Sequence, residues 1–353
     1  MARIDKFASY MNARVRGMKS VLLSRAELDG FLQRADVGAM AESLLSSPYE
    51  VEMAESMTRY QGADAVEDAV ARNLIEVFAR LRRVAGGNHK SVVELFLARW
   101  DLMAVKSLLR ARHREQDFST AEKMLFPAPG MPMAVLHEMA AQDTMEKLIR
   151  GLSGWNSRLC GKLLAALPTY QEENNLRVLE EVLDRAYFVD NVRRFGAAKG
   201  ADSRFLLSSL RMEIDRINLR ILLVPRPEGT TPEDVLRHVL PRGTLRDSVL
   251  RDIAASPSPE RVLGQLEGTA YAAFAESVTS FIETGKFSRL ERSFESAILA
   301  RLKRAAQQQG LGVAVLMHYA WLKYNEIMNL RMIARGISAG LPQARIEEEI
   351  VHV

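Results

Sequence analysis

The polar residues best placed to do chemistry in this chain recur as a set. An acid, a polar or small residue three positions on and a base five positions on read Asp101-Leu-Met-Ala104-Val-Lys106, Asp215-Arg-Ile-Asn218-Leu-Arg220 and Glu326-Ile-Met-Asn329-Leu-Arg331. Residues three apart share a helix face, whereas a base five on is turned by about 140° from the acid, so acid and base do not pair within one helix. Two roles fit such a set. The acid and amide bond neighbouring helix ends inside their own unit, or they line a shared central surface that grips a partner; helix geometry favours the first.

Catalytic arrangements are missing from the sequence. Gly154-Trp-Asn-Ser-Arg-Leu-Cys-Gly161-Lys162-Leu163 has the outline of a phosphate loop, but six residues separate the glycines where four are needed, and Leu163 stands where Ser or Thr would bind a metal. The histidines, His89, His113, His137, His238, His318 and His352, show no metal-ligand spacing, and His137-Glu138 lacks a second His four residues on. Neither a nucleophile elbow nor a dinucleotide fingerprint is present. The sequence predicts a non-enzyme, with no catalytic, cofactor or metal residues.

The elements that carry the repeated set repeat as well. Asp101, Asp215 and Glu326 are 114 and 111 residues apart, and Val66-Glu67, Leu179-Glu180 and Leu290-Glu291 keep nearly the same step. Each of the latter opens an apolar spacing of four that lines a helix face: Val66, Val70, Leu74; Leu179, Leu183, Tyr187; Leu290, Phe294, Ile298. Upstream of each acid, apolar residues match at the fifth position (Phe96, Leu210, Trp321) and the ninth (Val92, Leu206, Met317). This is the signature of an internal triplication. Its units are expected at residues 1–117, 118–229 and 230–353, each several helices ending in one long helix.

Turn chemistry marks the joints. Phe126-Pro-Ala-Pro-Gly130-Met-Pro132 and Val224-Pro-Arg-Pro227-Glu-Gly229 are helix stops. Ser24-Arg-Ala-Glu27 and Thr231-Pro232-Glu233-Asp234 are helix starts, and Gly340-Leu-Pro342 precedes another. Asn12-Ala-Arg14, near the start, echoes Asn218-Leu-Arg220 and Asn329-Leu-Arg331. It adds Asn12 and Arg14 to the candidate structural or partner-docking residues, beside Asp101, Lys106, Asp215, Asn218, Arg220, Glu326, Asn329 and Arg331.

Composition sets the class. The 353 residues are rich in helix formers, only 7% are aromatic, and runs of alternating β-branched residues are missing, which predicts an all-α chain with a sizeable core. Against 44 acids stand 48 bases, so the net charge is +4. The basic stretches Arg80-Leu-Arg82-Arg83 and Arg110-Ala-Arg112-His-Arg114 fall at helix ends, where they complement the dipole, and lack the interleaved aromatics of a nucleic-acid surface. One cysteine, Cys160, excludes an intrachain disulfide, and no apolar run approaches the ~18 residues of a membrane span. Met-Ala-Arg-Ile-Asp-Lys lacks the apolar stretch of a secretory signal.

Several of these segments resemble one known family. Asn12-Ala-Arg14-Val-Arg16-Gly-Met-Lys19, Arg99-Trp100-Asp101 through Lys106 to Arg110, Glu181 to Tyr187, Glu213-Ile-Asp215 to Arg220, and Asn325-Glu326-Ile-Met-Asn329-Leu-Arg331 to Gly336 with Gly340-Leu-Pro342 are similar to the C subunit of V-type (A-type) ATPases and ATP synthases. Its eukaryotic counterpart is the d subunit of the vacuolar ATPase. Ala104 departs from the Asn of the other repeats, and Val224 from Arg110 and Arg335. The resemblance implies three related helical units around a pseudo-threefold axis, forming a funnel. It implies a non-catalytic rotor adaptor, one copy per complex, between the D and F subunits of the central stalk and the membrane proteolipid ring. It also implies a peripheral place on the cytoplasmic face of the membrane, torque transmission coupled to proton or sodium transport, no cofactor and no nucleic acid. A generic all-α scaffold of serial repeats and a polyanion-binding protein are the other classes the composition admits.

Overall fold

Where helix formers dominate, backbone groups satisfy themselves within each segment, and the computed structural model is all-α, with no strand among the described residues. Those are residues 6–118, 120, 125, 128–197, 200–224, 229–256, 259–267, 269, 271–272, 275–284 and 287–351. The chain packs as two compact units. The first comprises residues 1–111, 117–141 and 299–353, the second 112–116 and 142–298.

The first unit is built on α18 (Val313–Ser338). Against it pack α1 (Lys6–Lys19), α2 (Arg25–Leu32), α3 (Val37–Leu44) and, most extensively, α5 (Gly62–Val84), while α4 (Glu50–Met57) lies on α5. The remaining elements are α6 (Lys90–His113), which ends in the second unit, α7 (Met133–Ala140) and α19 (Gln343–Glu347). Val66, Val70 and Leu74 are fully buried along α5, as their spacing of four predicts. Trp100, with no exposed surface, sits in an aromatic cluster with Phe78, Phe96, Trp321 and Tyr324, ring centroids 4.7 to 6.0 Å away. The Arg99 guanidinium stacks 4.6 Å from the Trp321 ring.

The second unit contains α8 (Met145–Gly151), α9 (Ser153–Glu173), α10 (Arg177–Asp184), α11 (Asp190–Phe195), α12 (Ala201–Leu223), α13 (Pro232–Leu236), α14 (Asp247–Ala255), α15 (Pro259–Leu266) and α16 (Ala275–Thr284). It also takes the first half of α17 (Phe287–Gln309). Its core includes Leu219 and Leu222 of α12, Leu250 and Ile253 of α14, Tyr271, and Leu290 and Phe294 of α17.

Most local signals are realised, though Ile298, expected on the buried face with Leu290 and Phe294, is half-buried. Ser24 and Thr231 head complete capping boxes, the latter with Pro232 at the first helical position. Phe96, Leu210, Trp321, Val92, Leu206 and Met317 are all buried. Tyr187, expected on the buried face with Leu179 and Leu183, is only half-buried. A π-helical turn, Arg185–Val189, inserts one residue per turn more than a regular helix and rotates Phe188 inward instead. The helix stops at 126–127 and 225–228, the first residues 1–5 and His352 lie outside the described residues.

Gly161 and Lys162 lie inside α9, where a helix offers no loop to cradle a phosphate, and Lys162 pairs with Asp190 at 2.7 Å. Among the described residues no helix is long and apolar enough to cross a membrane, and no cluster of His, Cys, Asp or Glu could hold a metal.

Trp100→Ala removes the centre of the aromatic cluster and should lower the stability of the first unit by about 3–5 kcal/mol. Urea unfolding followed by tryptophan fluorescence measures it.

Candidate functional site

The repeated acid, amide and base sit at corresponding places on α6, α12 and α18, and packing turns most of them inward. Asp101, Asp215 and Glu326 are 3%, 0% and 5% exposed. A carboxylate at such depth must find donors, because the charge loses water without replacement otherwise.

The donors come from the segment that follows each helix. Asp101 accepts from the Gly130 N–H at 2.6 Å. Asp215 accepts from the Thr244 N–H at 2.7 Å, from the Leu245 N–H at 3.2 Å, from the Thr244 hydroxyl and from the Tyr271 hydroxyl at 2.8 Å. In both repeats the first backbone donor lies 29 residues beyond the acid. Both acids also lie so near a glycine, Gly130 or Gly243, that a Cβ there would overlap the carboxylate.

The amides keep a register of their own. Asn218 donates to the Leu240 carbonyl at 2.8 Å and accepts from the Leu240 N–H at 2.7 Å. Asn329 does the same to Val351, at 2.9 and 3.1 Å. Each clamp spans 22 residues and satisfies both polar groups of one residue. Ala104 in the first repeat has no side chain to do this. Asn12, buried on α1, donates only to the Ala8 carbonyl of its own helix, and its Oδ1 is unpartnered.

In the third repeat the chain's first segment takes over as partner. Glu326 accepts from the Leu23 N–H at 2.6 Å, from the Tyr49 hydroxyl at 2.6 Å and from Lys323 Nζ at 2.8 Å. Lys323 Nζ also donates to the Tyr49 oxygen at 2.9 Å and lies 4.1 Å from its ring centroid. Burial, opposed by Glu326, lowers the Lys323 pKa; burial and then Glu326 raise that of Tyr49.

The bases meet the other repeated set. Arg220 on α12 approaches Glu291 of α17 at 3.5 Å, and Arg216 approaches the same glutamate at 2.7 Å. Arg331 on α18 donates to Glu67 of α5 at 3.1 Å, joined by Arg335. Glu67 and Glu291 are the acids of the Val66-Glu67 and Leu290-Glu291 pairs, so the two sequence periods meet in space within their units. That shared step was the signal by which the glutamates could have been found. Thr244, Tyr271, Tyr49 and Lys323 had none. Lys106 is half-buried, and Arg14 and Arg220 are exposed.

The histidines are dispersed. His113 bonds Tyr170 at 3.1 Å, and His238 bonds Glu181 at 3.0 Å. His318 is buried with its Nε2 unpartnered; burial, with Lys19 and Lys303 nearby, pulls its pKa down to about 4. The basic stretches sit at the ends of α5 and α6, where Arg80 and Arg83 pair with Glu76 and Arg112 donates to the Gln142 carbonyl.

Two measurements follow from this geometry. Asn218→Ala leaves the buried Leu240 N–H and C=O without a partner and should cost about 2–4 kcal/mol in urea unfolding. Asp101 has its pKa pushed up from 3.8 to about 6, chiefly by burial. The stability carried by its protonated form is complete below the unfolded value and is lost as pH rises from about 4 through 6. Asp101→Asn keeps an acceptor for Gly130 and loses nothing on that rise. Its stability relative to wild type should therefore grow between pH 4 and 6, by about 3 kcal/mol at most. A constant difference across that window would refute the assignment.

Comparison with known proteins matches nearly the whole chain to one family. A family model described as ATP synthase (C/AC39) subunit matches residues 11–349. The A-type ATP synthase C subunit of Methanocaldococcus jannaschii is 25% identical over 345 residues, covering 97% of this chain and 86% of that protein. The C subunits of the A-type ATP synthases of Pyrococcus abyssi and Methanosarcina barkeri are each 27% identical, covering 97% of this chain and 90% and 92% of their own lengths. The chain belongs to the ATP synthase (C/AC39) subunit family, an accessory and not a catalytic part of a rotary ATPase.

Proposed function

We propose that the chain is the rotor adaptor of its complex. It links the D and F subunits of the central stalk to the membrane proteolipid ring and passes torque between ATP turnover in the catalytic head and proton or sodium transport. One copy would sit peripherally on the cytoplasmic face, held by its neighbours.

The observation that carries this reading is the closure of the repeat. Bonds that the second repeat makes to later residues, Asp215 to Thr244 and Arg220 to Glu291, are made by the third to the chain's beginning, Glu326 to Leu23 and Arg331 to Glu67. Repeats at 1–117, 118–229 and 230–353 whose last member is completed by the first support a closed pseudo-threefold funnel, where a solenoid would continue serially. Such a part must be stiff, and buried polar networks stiffen the helices they join. Asp101, Asp215, Asn218, Glu326, Asn329 and Arg331 serve that rigidity in this reading. Contact with partners falls to exposed bases such as Arg14, each worth only ~1 kcal/mol or less, with strength coming from number.

A tagged chain extracted from its native membranes in mild detergent should bring down a small proteolipid together with central-stalk and head subunits, identified by mass spectrometry. Recovery without any ATPase subunit would remove the adaptor role.

A further inference from the structure

The helix α1 repeats the Asn-x-Arg segment found in α12 and α18 and buries its Asn as they do, yet it leaves exposed a stripe that α18 buries. Superposing Asn12 and Arg14 on Asn329 and Arg331 brings Phe7, Tyr10 and Arg14 level with Tyr324, Ile327 and Arg331. On α18 that stripe is internal, with Tyr324 8%, Ile327 0% and Arg331 9% exposed, and Arg331 bonded to Glu67 of α5. On α12 the residues level with Tyr10 and Arg14 are Arg216 and Arg220, and both reach Glu291 of α17. In each case the stripe meets a helix that carries an apolar residue followed by glutamate.

On α1 the stripe has no such cover. Phe7 is 58% and Tyr10 57% exposed, and Arg14 is exposed with no ion pair among the described residues. The other side of the helix is seated firmly, through Ala8, Met11, Asn12 and Val15, so the stripe is presented by a fixed support. Phe7 is itself held, because its ring lies against Gly87 and against Gly86, where a Cβ would collide. A pre-placed aromatic loses little freedom on binding. The helix contains no acid and carries Lys6, Arg14, Arg16 and Lys19, so its complement is a carboxylate.

We propose that the Phe7–Tyr10–Arg14 stripe seats a helix of another subunit of the ATP synthase, one presenting a glutamate or aspartate beside aliphatic residues as Val66-Glu67 and Leu290-Glu291 do. The source of the helix rests on the adaptor function; its chemistry rests on the two internal precedents.

The test places a benzoylphenylalanine photo-crosslinker at Tyr10 in the tagged full-length chain, irradiates native membranes and identifies the joined peptide. The expected product is one ATPase subunit, crosslinked at a helical peptide with an acid among aliphatic residues. Arg14→Glu should lower the yield about tenfold, a loss of about 1.4 kcal/mol, and replacing the partner's acid by Arg should restore it. Phe7→Ala, also at an exposed position, should lower it independently, and unchanged circular dichroism would show that both variants fold. Adducts to lipid, to a second copy or to this chain's own residues overturn the proposal, as does indifference to Arg14→Glu. If ATPase subunits still co-purify in that case, the docking stripe fails and the adaptor role stands.

Discussion

A carboxylate carried into a helical interior must be met by donors or be neutralised, and this fold answers that demand with the backbone of the segments between its long helices. Asp215 shows the fullest case, with two backbone N–H groups and two hydroxyls converging on it. The acid needs the turn in order to be buried, and the turn, having no ladder of its own, needs the acid to satisfy its amides. Asn218 and Asn329 extend the arrangement by holding both polar groups of a residue in the same segment. Apolar packing places the helices; these few groups decide where the connecting chain runs.

Electrostatic variety on a common plan follows. Asp101 has one backbone donor and an elevated pKa, while Glu326 is met by a backbone N–H, a tyrosine and a lysine. The same register position thus runs from a poorly compensated carboxylate to a closed ionic network. Positions that repeat in sequence need not carry equal energies, and the first repeat, with Ala104 in place of the amide, cannot make the clamp that Asn218 and Asn329 make.

The sequence made the helical class and the step of 111 to 114 residues readable, because a long helix announces itself through apolar spacing and a triplication through its phase. It could not display the partners. A backbone N–H at Leu240 or Leu245 looks like any other, and only Gly130 and Gly243, cleared for the acids, left a trace. Glu67 and Glu291 were visible as repeated residues, yet their meeting with Arg331 and Arg220 depends on how helices cross, which periodicity does not encode. Tyr187 was displaced from its expected face by a π-helical turn, a change of pitch without a compositional mark. The step tells which segments are alike; packing tells which segments touch.

The first unit takes its interior from both ends of the sequence, with Leu23 bonded to Glu326 and Arg331 to Glu67. During synthesis the face of α5 that rests on α18 emerges bare and stays bare until residues 313–338 have left the ribosome. At roughly 5–20 residues per second that wait lasts on the order of ten seconds to a minute. The second unit, nearly contiguous at 142–298, has all its residues out of the ribosome before then. A nascent chain that stalls before α18 leaves the apolar face of α5, with Val66, Val70 and Leu74, without the helix that covers it.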